Sequence, residues 1–322
     1  MILVGMLLAI SASASIDPAR ALPTVFEAGR VYAVPELKSG QVLKLLVDTG
    51  GGGAKSMYWI NADVAKQLKL ATHICKLSSG PIRVTGVPRF KRSRDLPMPL
   101  NGPCGTAVML NPEGASGIDG QLGAGYLPGR IWTIDYPDRQ LLEEPATWKP
   151  AKGTHSIPMG FLRDRNGTLL TGFPRIVVQI DGKPLDMLLD TGATGHPTEA
   201  GLSASHIATV NGFIATSYIT TTMLNQWHKA HTDWPVVVEG DNLFPHHPSR
   251  TIRVPVVAIA GIKVGPVWFT ERPDRAFHQF MASMMDKQTE GAIGGNILKH
   301  FVMTLDYPRA TVDFDCSAAC LH

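Results

Sequence analysis

The chain has 322 residues, 44% of them hydrophobic and 18% charged, with 32 Gly, 24 Pro and a formal net charge of +3. That length is long for one compact core and suits two lobes of roughly 130–160 residues each, while the Gly and Pro content favours a turn-rich β architecture over a helical bundle. The charge is too mild to argue for a nucleic-acid partner; the one dense basic patch, Arg89, Lys91, Arg92 and Arg94, reads as a solvated loop, with contact to an anionic substrate or membrane surface as its alternative.

Met1 to Ile10 is apolar and leads into an Ala-x-Ala pattern at Ala12 and Ala14. This reads as a secretory signal peptide over residues 1–14, too short for a stable membrane span, although no Lys or Arg precedes the apolar run. The expected location is therefore periplasmic or extracellular. Four cysteines fit export. Cys75 pairs with Cys104 and Cys316 with Cys320 as sequence neighbours, with free buried thiols as the alternative; neither pair has a companion ligand at zinc spacing. In the chain-entropy picture the short loop contributes about 2 kcal/mol and the longer one roughly 3.6 kcal/mol.

After the leader, residues 30–35 and 41–47 read as a hairpin whose second strand ends in Leu46-Val47-Asp48-Thr49-Gly50-Gly51. Residues 61–70 read as a short helix with Asn61 as N-cap, followed by a β stretch from Pro81 that carries Gly86. A polar, proline-bearing segment from Glu143 to Gly153 reads as a linker, dividing the chain into lobes at 22–147 and 153–322. In the second half, residues 175–180 and 183–189 flank Asp181-Gly182, a strong hairpin signal, and deliver Leu188-Leu189-Asp190-Thr191-Gly192-Ala193. Val210 to Phe213 holds Gly212, and residues 254–269 read as two strands around Gly261. Phe277, Phe280, Met281, Met284 and Met285 recur at helical spacing, which predicts a helix over 275–286 with that stripe packed in the core.

The halves repeat. Gly123 to Asp135 spans twelve positions and so does Gly294 to Asp306, and each ends in Thr-x-Asp-Tyr-Pro. An ionised Asp at the end of a buried strand is costly unless something pairs with it, so the twin Asp-Thr-Gly stretches raise the question of whether they meet.

This pattern resembles the aspartic proteases, which use hydrophobic-hydrophobic-Asp-Thr-Gly twice; retroviral-type enzymes supply the copies from two chains and pepsin-type enzymes from two lobes of one. The resemblance implies a bacterial-type, single-chain, bilobal member with a mostly β acid-protease fold and a cleft between two duplicated lobes. It implies that Asp48 and Asp190 are a catalytic dyad, that Thr49 and Thr191 hydrogen-bond across the lobe interface, and that Gly50 and Gly192 let backbone N–H groups approach the carboxylates. Gly86 and Gly212 would be flap tips closing over an extended peptide substrate, with a plain surface hairpin as the alternative for either. Two carboxylates held about 3 Å apart share one proton and hydrolyse an amide through water, with no metal, cofactor or covalent intermediate.

Ala292-Ile293-Gly294 matches the family's hydrophobic-hydrophobic-Gly strand, whereas Gln121-Leu122-Gly123 departs at its first position. Gly51-Gly52-Gly53 replaces residues that usually carry a hydroxyl, and Ala193 offers none either. Fewer donors to the charged form predict a pH optimum milder than pepsin's. The glycine run also keeps open a non-catalytic peptide-binding or scaffold protein. His228, His231, His246 and His247 make a metal site conceivable, though loop histidines are ordinarily solvated. No Gly-x-Ser-x-Gly elbow and no phosphate-binding glycine loop is present.

Overall fold

A computed structural model describes residues 19–115, 117–244, 246–316 and 320. The leader over residues 1–14 lies outside them. Each half of the chain builds one large sheet, and a third sheet joins the halves.

The first sheet has eight strands in the order Thr24–Glu27, Arg30–Ala33, Leu45–Val47, Gly120–Leu122, Trp59–Asn61, Val108–Asn111, Gly80–Thr85, Thr72–Leu77. The second has nine, in the order Val236–Asp241, Ser249–Val254, Val267–Arg272, Ser217–Thr220, Gly291–Ile293, Lys183–Leu189, Arg175–Ile180, Val257–Ile259, Ile262–Val264. Read from opposite ends, the central strands correspond one to one. Leu45–Val47 runs parallel to Gly120–Leu122 with Val47 opposite Leu122, and Leu189 stands opposite Ile293 in the same way. The duplication seen in sequence is a duplication of topology.

The third sheet has six strands, with Ile131–Asp135 and Phe301–Asp306 antiparallel at its centre. These are the strands that end in the repeated Asp-Tyr-Pro. Thr133 faces Thr304, and their hydroxyls are 2.8 Å apart. The repeat therefore supplies the element that joins the lobes, which is why both copies keep the same length. Buried apolar side chains on both faces, among them Leu43, Tyr58, Ile60, Trp132, Phe269, Phe301 and Phe314, form the core.

Several local expectations hold. Asp181 and Gly182 both take positive φ, 53° and 69°, as a two-residue hairpin turn requires. Cys75 bonds to Cys104 and Cys316 to Cys320. Lys91 of the basic patch pairs with Glu36 at 2.8 Å, while Arg89, Arg92 and Arg94 are exposed.

Other local features differ. The helix at Ala62–Gln67 is shorter than expected, and the Asn61 side chain does not cap it. Its amide instead donates to the carbonyls of Ala115 and Ile118 and accepts from the Ala115 N–H, pinning the approach to Gly120. The 275–286 segment is a π-helical turn, Ala276–Phe280, followed by a 3-10 turn, Met281–Met284. That winding buries Phe277, Met281 and Met285 but leaves Phe280 67% exposed. Residues 249–272 hold four strands, of which the hairpin at Gly261 supplies two. Helices at Glu199–Ser205 and Thr221–Ala230 carry no expectation from sequence; the second follows Ser217–Thr220 as Ala62–Gln67 follows Trp59–Asn61. No helix among the described residues is long and apolar enough to cross a membrane.

Candidate active site

Asp48 and Asp190 stand just past the two parallel strand pairs. The Asp48 N–H donates to the Leu122 carbonyl at 3.0 Å and the Asp190 N–H to the Ile293 carbonyl at 2.9 Å, so each motif is the last residue still held by its partner strand. Beyond it the chain turns, with Gly51 N–H donating to Asp48 O and Ala193 N–H to Asp190 O.

The two turns interlock through their threonines. Thr49 Oγ1 donates to the Leu189 carbonyl at 2.5 Å and accepts from the Thr191 N–H at 3.0 Å. Thr191 Oγ1 donates to the Val47 carbonyl at 2.8 Å and accepts from the Thr49 N–H at 3.1 Å. Both threonines are fully buried, where an unmade hydrogen bond is expensive, so this four-bond lattice fixes the turns against each other.

Gly50 and Gly192 pack crosswise. A Cβ on Gly50 would stand 2.3 Å from Asp190 Cγ, and one on Gly192 would stand 2.0 Å from Asp48 Cγ. Each carboxyl occupies the space a side chain on the opposite turn would need, which sets the two carboxyls beside each other. The glycine-ended strands make a similar close approach: a Cβ on Gly123 would lie 2.5 Å from Gly52 O, and one on Gly294 1.7 Å from Thr216 O.

The carboxyls are electrostatically unequal. Burial pushes Asp190 up to about 6, against the hydrogen bond from Asp48 and the amides of Gly192, Ala193 and Gly50, which favour its ionised form. Burial, the neighbouring Asp190 charge and the hydrogen bond to Asp190 hold Asp48 well above the usual carboxylate range, and the Gly50 and Gly51 amides only partly offset them. The Gly192 N–H donates to Asp190 Oδ1 at 3.0 Å, while Asp48 Oδ1 is buried with no hydrogen-bond partner. Buried carboxyls packed this closely do not both ionise, so the pair shares one proton. Such a pair can take a proton at one oxygen while giving one at another.

The structure brings Asp48, Asp190, Thr49, Thr191, Gly50 and Gly192 together. The glycines expected as flap tips, Gly86 and Gly212, take different local positions. The hairpin of Thr72–Leu77 and Gly80–Thr85 turns at Ser78-Ser79, so Gly86 lies just past the base of its second strand, not at its tip. Gly212 does sit at a tight turn, with Asn211 and Gly212 at φ 52° and 81° between Val210 and Phe213. That turn precedes the Thr221–Ala230 helix, whereas Gly86 follows Ala62–Gln67, so the two glycines are not equivalent positions. It rests against His196, and Phe213 lies under the Arg30 guanidinium of the other half. Of the histidines, His231 stacks on Trp234 at 4.2 Å and faces Asp181 at 2.9 Å.

Two further residues belong to the site. Gln121, noted in sequence only as a departure from an apolar motif, is buried against the Asp48 turn, and Arg272, which belongs to no motif, is buried behind the Asp190 turn. The signal for Gln121 was its departure from an otherwise apolar strand, opposite an unusual glycine. A pocket of about 360 Å³ opens beside Gly52 and Gly53, walled by Ala124, Leu170 and Phe173.

No family model matches the chain, and a search of curated proteins returns no significant match. Solved structures do match. The aspartic proteinase from Irpex lacteus aligns over 94% of this chain and 98% of its own, with a TM-score of 0.51 and 12% identity. Basic 7S globulin from soybean aligns over 93% and 95%, with a TM-score of 0.46 and 10% identity. The fold is the bilobal, mostly β fold of the pepsin-like aspartic proteinases.

Proposed function

We propose that this chain is an aspartic endopeptidase that works as a monomer and hydrolyses an extended peptide lying between its lobes. The observation that carries the reading is the unequal carboxyl pair held by the threonine lattice. Asp190, the anion, takes a proton from a water placed between the carboxyls. The resulting hydroxyl attacks the scissile carbonyl carbon as the Asp48 proton passes to the carbonyl oxygen. Collapse of the tetrahedral gem-diol breaks the C–N bond as Asp190 gives its proton to the leaving nitrogen and a gem-diol hydroxyl returns one to Asp48, which restores the starting state. Thr49, Thr191, Gly50 and Gly192 keep the two carboxyls in register, and no metal or cofactor enters the scheme. The disulfides support an exported, periplasmic or extracellular setting.

The glycine run at Gly51–Gly53 and the unpartnered Asp48 oxygen favour one other reading, a peptide-binding protein that has lost catalysis. Cleavage of an unstructured protein from pH 3 to 8, by wild type and by Asp48→Asn and Asp190→Asn, with and without pepstatin, separates the two. Activity that pepstatin blocks and that both substitutions abolish is the expected result. A well-folded wild type that cleaves nothing moves the assignment to the binding protein, and activity surviving either substitution removes these carboxylates from the mechanism.

A further inference from the structure

The second lobe carries a pocket of about 840 Å³ whose lining includes Phe244, His247, Arg272, Arg275 and Phe280. Its walls are large aromatic rings left in solvent, Phe244 at 54% and Phe280 at 67% exposure, a disposition a folded core does not require. Its charged lining is entirely basic.

Arg272 is the informative residue. It ends the Val267–Arg272 strand and is buried, 6% exposed, with its guanidinium between the Tyr218 ring at 4.2 Å and the Phe244 ring at 5.2 Å. Its Nη1 donates to the Glu271 carbonyl at 3.0 Å and, at 3.4 Å, to Ser249 Oγ. Its Nη2 is buried with no hydrogen-bond partner. The nearest carboxylate, Asp241, stands 3.8 Å away, and its oxygens already accept from the His196 and Leu243 N–H groups. Two further acids close by are engaged elsewhere, Glu271 by Arg250 and Asp274 by Thr222. A buried guanidinium with unfilled donors is costly, and a planar pair of carboxylate oxygens is the group that fills them best.

The pocket is also next to the chemistry. Tyr218, on which Arg272 stacks, donates its hydroxyl proton to the Thr194 carbonyl at 2.6 Å and accepts from the Thr194 N–H at 2.9 Å. Thr194 in turn donates to the Gly192 carbonyl at 2.8 Å, so one layer of side chains separates the pocket from the Asp190 turn.

We infer that this pocket is a specificity subsite for a carboxylate on the peptide, with Arg272 as its anchor, Arg275 and His247 drawing the anion in, and the two phenylalanines covering the aliphatic stem. The inference rests on the peptidase reading only for the identity of the ligand as a peptide. The carboxylate belongs to a Glu or Asp side chain or to the peptide's own C-terminus, and the test has an arm for each.

Binding is read by fluorescence anisotropy on Asp48→Asn, using acetylated, amidated decapeptides paired as Glu or Gln at each position in turn, plus one free-acid peptide. About tenfold tighter binding of Glu than Gln at one position, or of the free acid over the amide, is expected. The preference is expected to vanish in Arg272→Met and to shrink in Arg272→Lys, which keeps the charge but not the fork. In the exposed Arg275→Gln, whose fold is not at stake, only a salt-sensitive part is lost. Equal binding of every pair, or a preference that persists in Arg272→Met or, if that variant does not fold, is undiminished in both Arg272→Lys and Arg275→Gln, overturns the subsite. Because the readout is binding, a wild type that cleaves nothing defeats the peptidase reading and leaves this result standing.

Discussion

Gln121 occupies the space that Gly51 leaves empty. A Cβ on Gly51 would stand 1.8 Å from Gln121 Nε2 and 2.5 Å from Asp48 Oδ2, so the amide and the carboxylate flank the same small volume. In the other half the equivalent positions are Ala193 and Ala292, both small, apolar and buried. The two departures from the family pattern are therefore one feature, a long amide lying over a missing side chain.

An amide donor beside a carboxylate favours its ionised form and lowers its pKa, so removing the donor raises it. Gln121→Leu is expected to move the alkaline limb of kcat/KM, where Asp48 loses its proton, to higher pH by ~0.5–1 unit, with the fold intact. A pH–rate profile unchanged in that variant limits Gln121 to packing. Gly51→Ala meets both Gln121 and Asp48, so adding Gln121→Ala restores only part of the lost activity.

The threonine lattice makes a second prediction. Thr49→Val removes one donated and one accepted hydrogen bond in a dry interface, and is expected to cost about 1–3 kcal/mol in denaturant unfolding. Thr191→Val removes the symmetric pair. Because the four bonds share partners, the double variant should fall short of the sum of the singles. Strict additivity in that cycle would mean that the turns are held by their strands alone.

How far the sequence reached follows from what each feature depends on. The twin Asp-Thr-Gly turns, the Asp181-Gly182 hairpin and the Asp-Tyr-Pro repeat were legible because each is a local pattern whose chemistry is fixed by adjacent residues. The meeting of Ile131–Asp135 with Phe301–Asp306 was foreshadowed only as matched spacing, since sequence shows that two segments are alike but not that they pair. The placements of Gly86 and Gly212 were unsupported for the same reason: a glycine marks a turn, yet which turn faces the carboxylates is set by sheet order. Phe280 was assigned to a core face by an α-helical period that a π turn does not follow. Arg272 was invisible because an arginine after an apolar strand ordinarily reads as solvated.

The carboxyl pair should make stability depend on pH in a defined direction. Asp48 and Asp190 are both raised above the ordinary Asp value, so between that value and their folded values the native state binds more protons than the unfolded chain. Stability contributed at acid pH is then lost as pH rises from about 4 through 6 and beyond. Asp48→Asn removes a carboxyl that must take up a proton on folding and is expected to flatten that decline, gaining about 1–3 kcal/mol near pH 7. Thermal unfolding of both proteins from pH 4 to 7.5 checks it. Parallel curves would mean that the carboxyls are better solvated than their burial implies.

Cys75 lies within Thr72–Leu77 and bonds to Cys104, 29 residues on. The pair packs in a small apolar cluster with Met57, Val84 and Ala107, which also draws in Ala54, directly after the glycine run. Opening the loop restores roughly 3.6 kcal/mol of chain entropy to the unfolded state. It also frees the hairpin from the segment that leads out of the Asp48 turn. Cys75→Ala with Cys104→Ala is therefore expected to lower stability by about 2–4 kcal/mol and to raise KM more than it lowers kcat, since the carboxyls are held by other bonds. Cys316→Ala with Cys320→Ala opens a far shorter loop, with a sequence separation of 4, at the end of the Thr311–Cys316 strand. It should cost less and leave both constants unchanged. Equal kinetic effects from the two variants would show that the first disulfide acts on global stability alone.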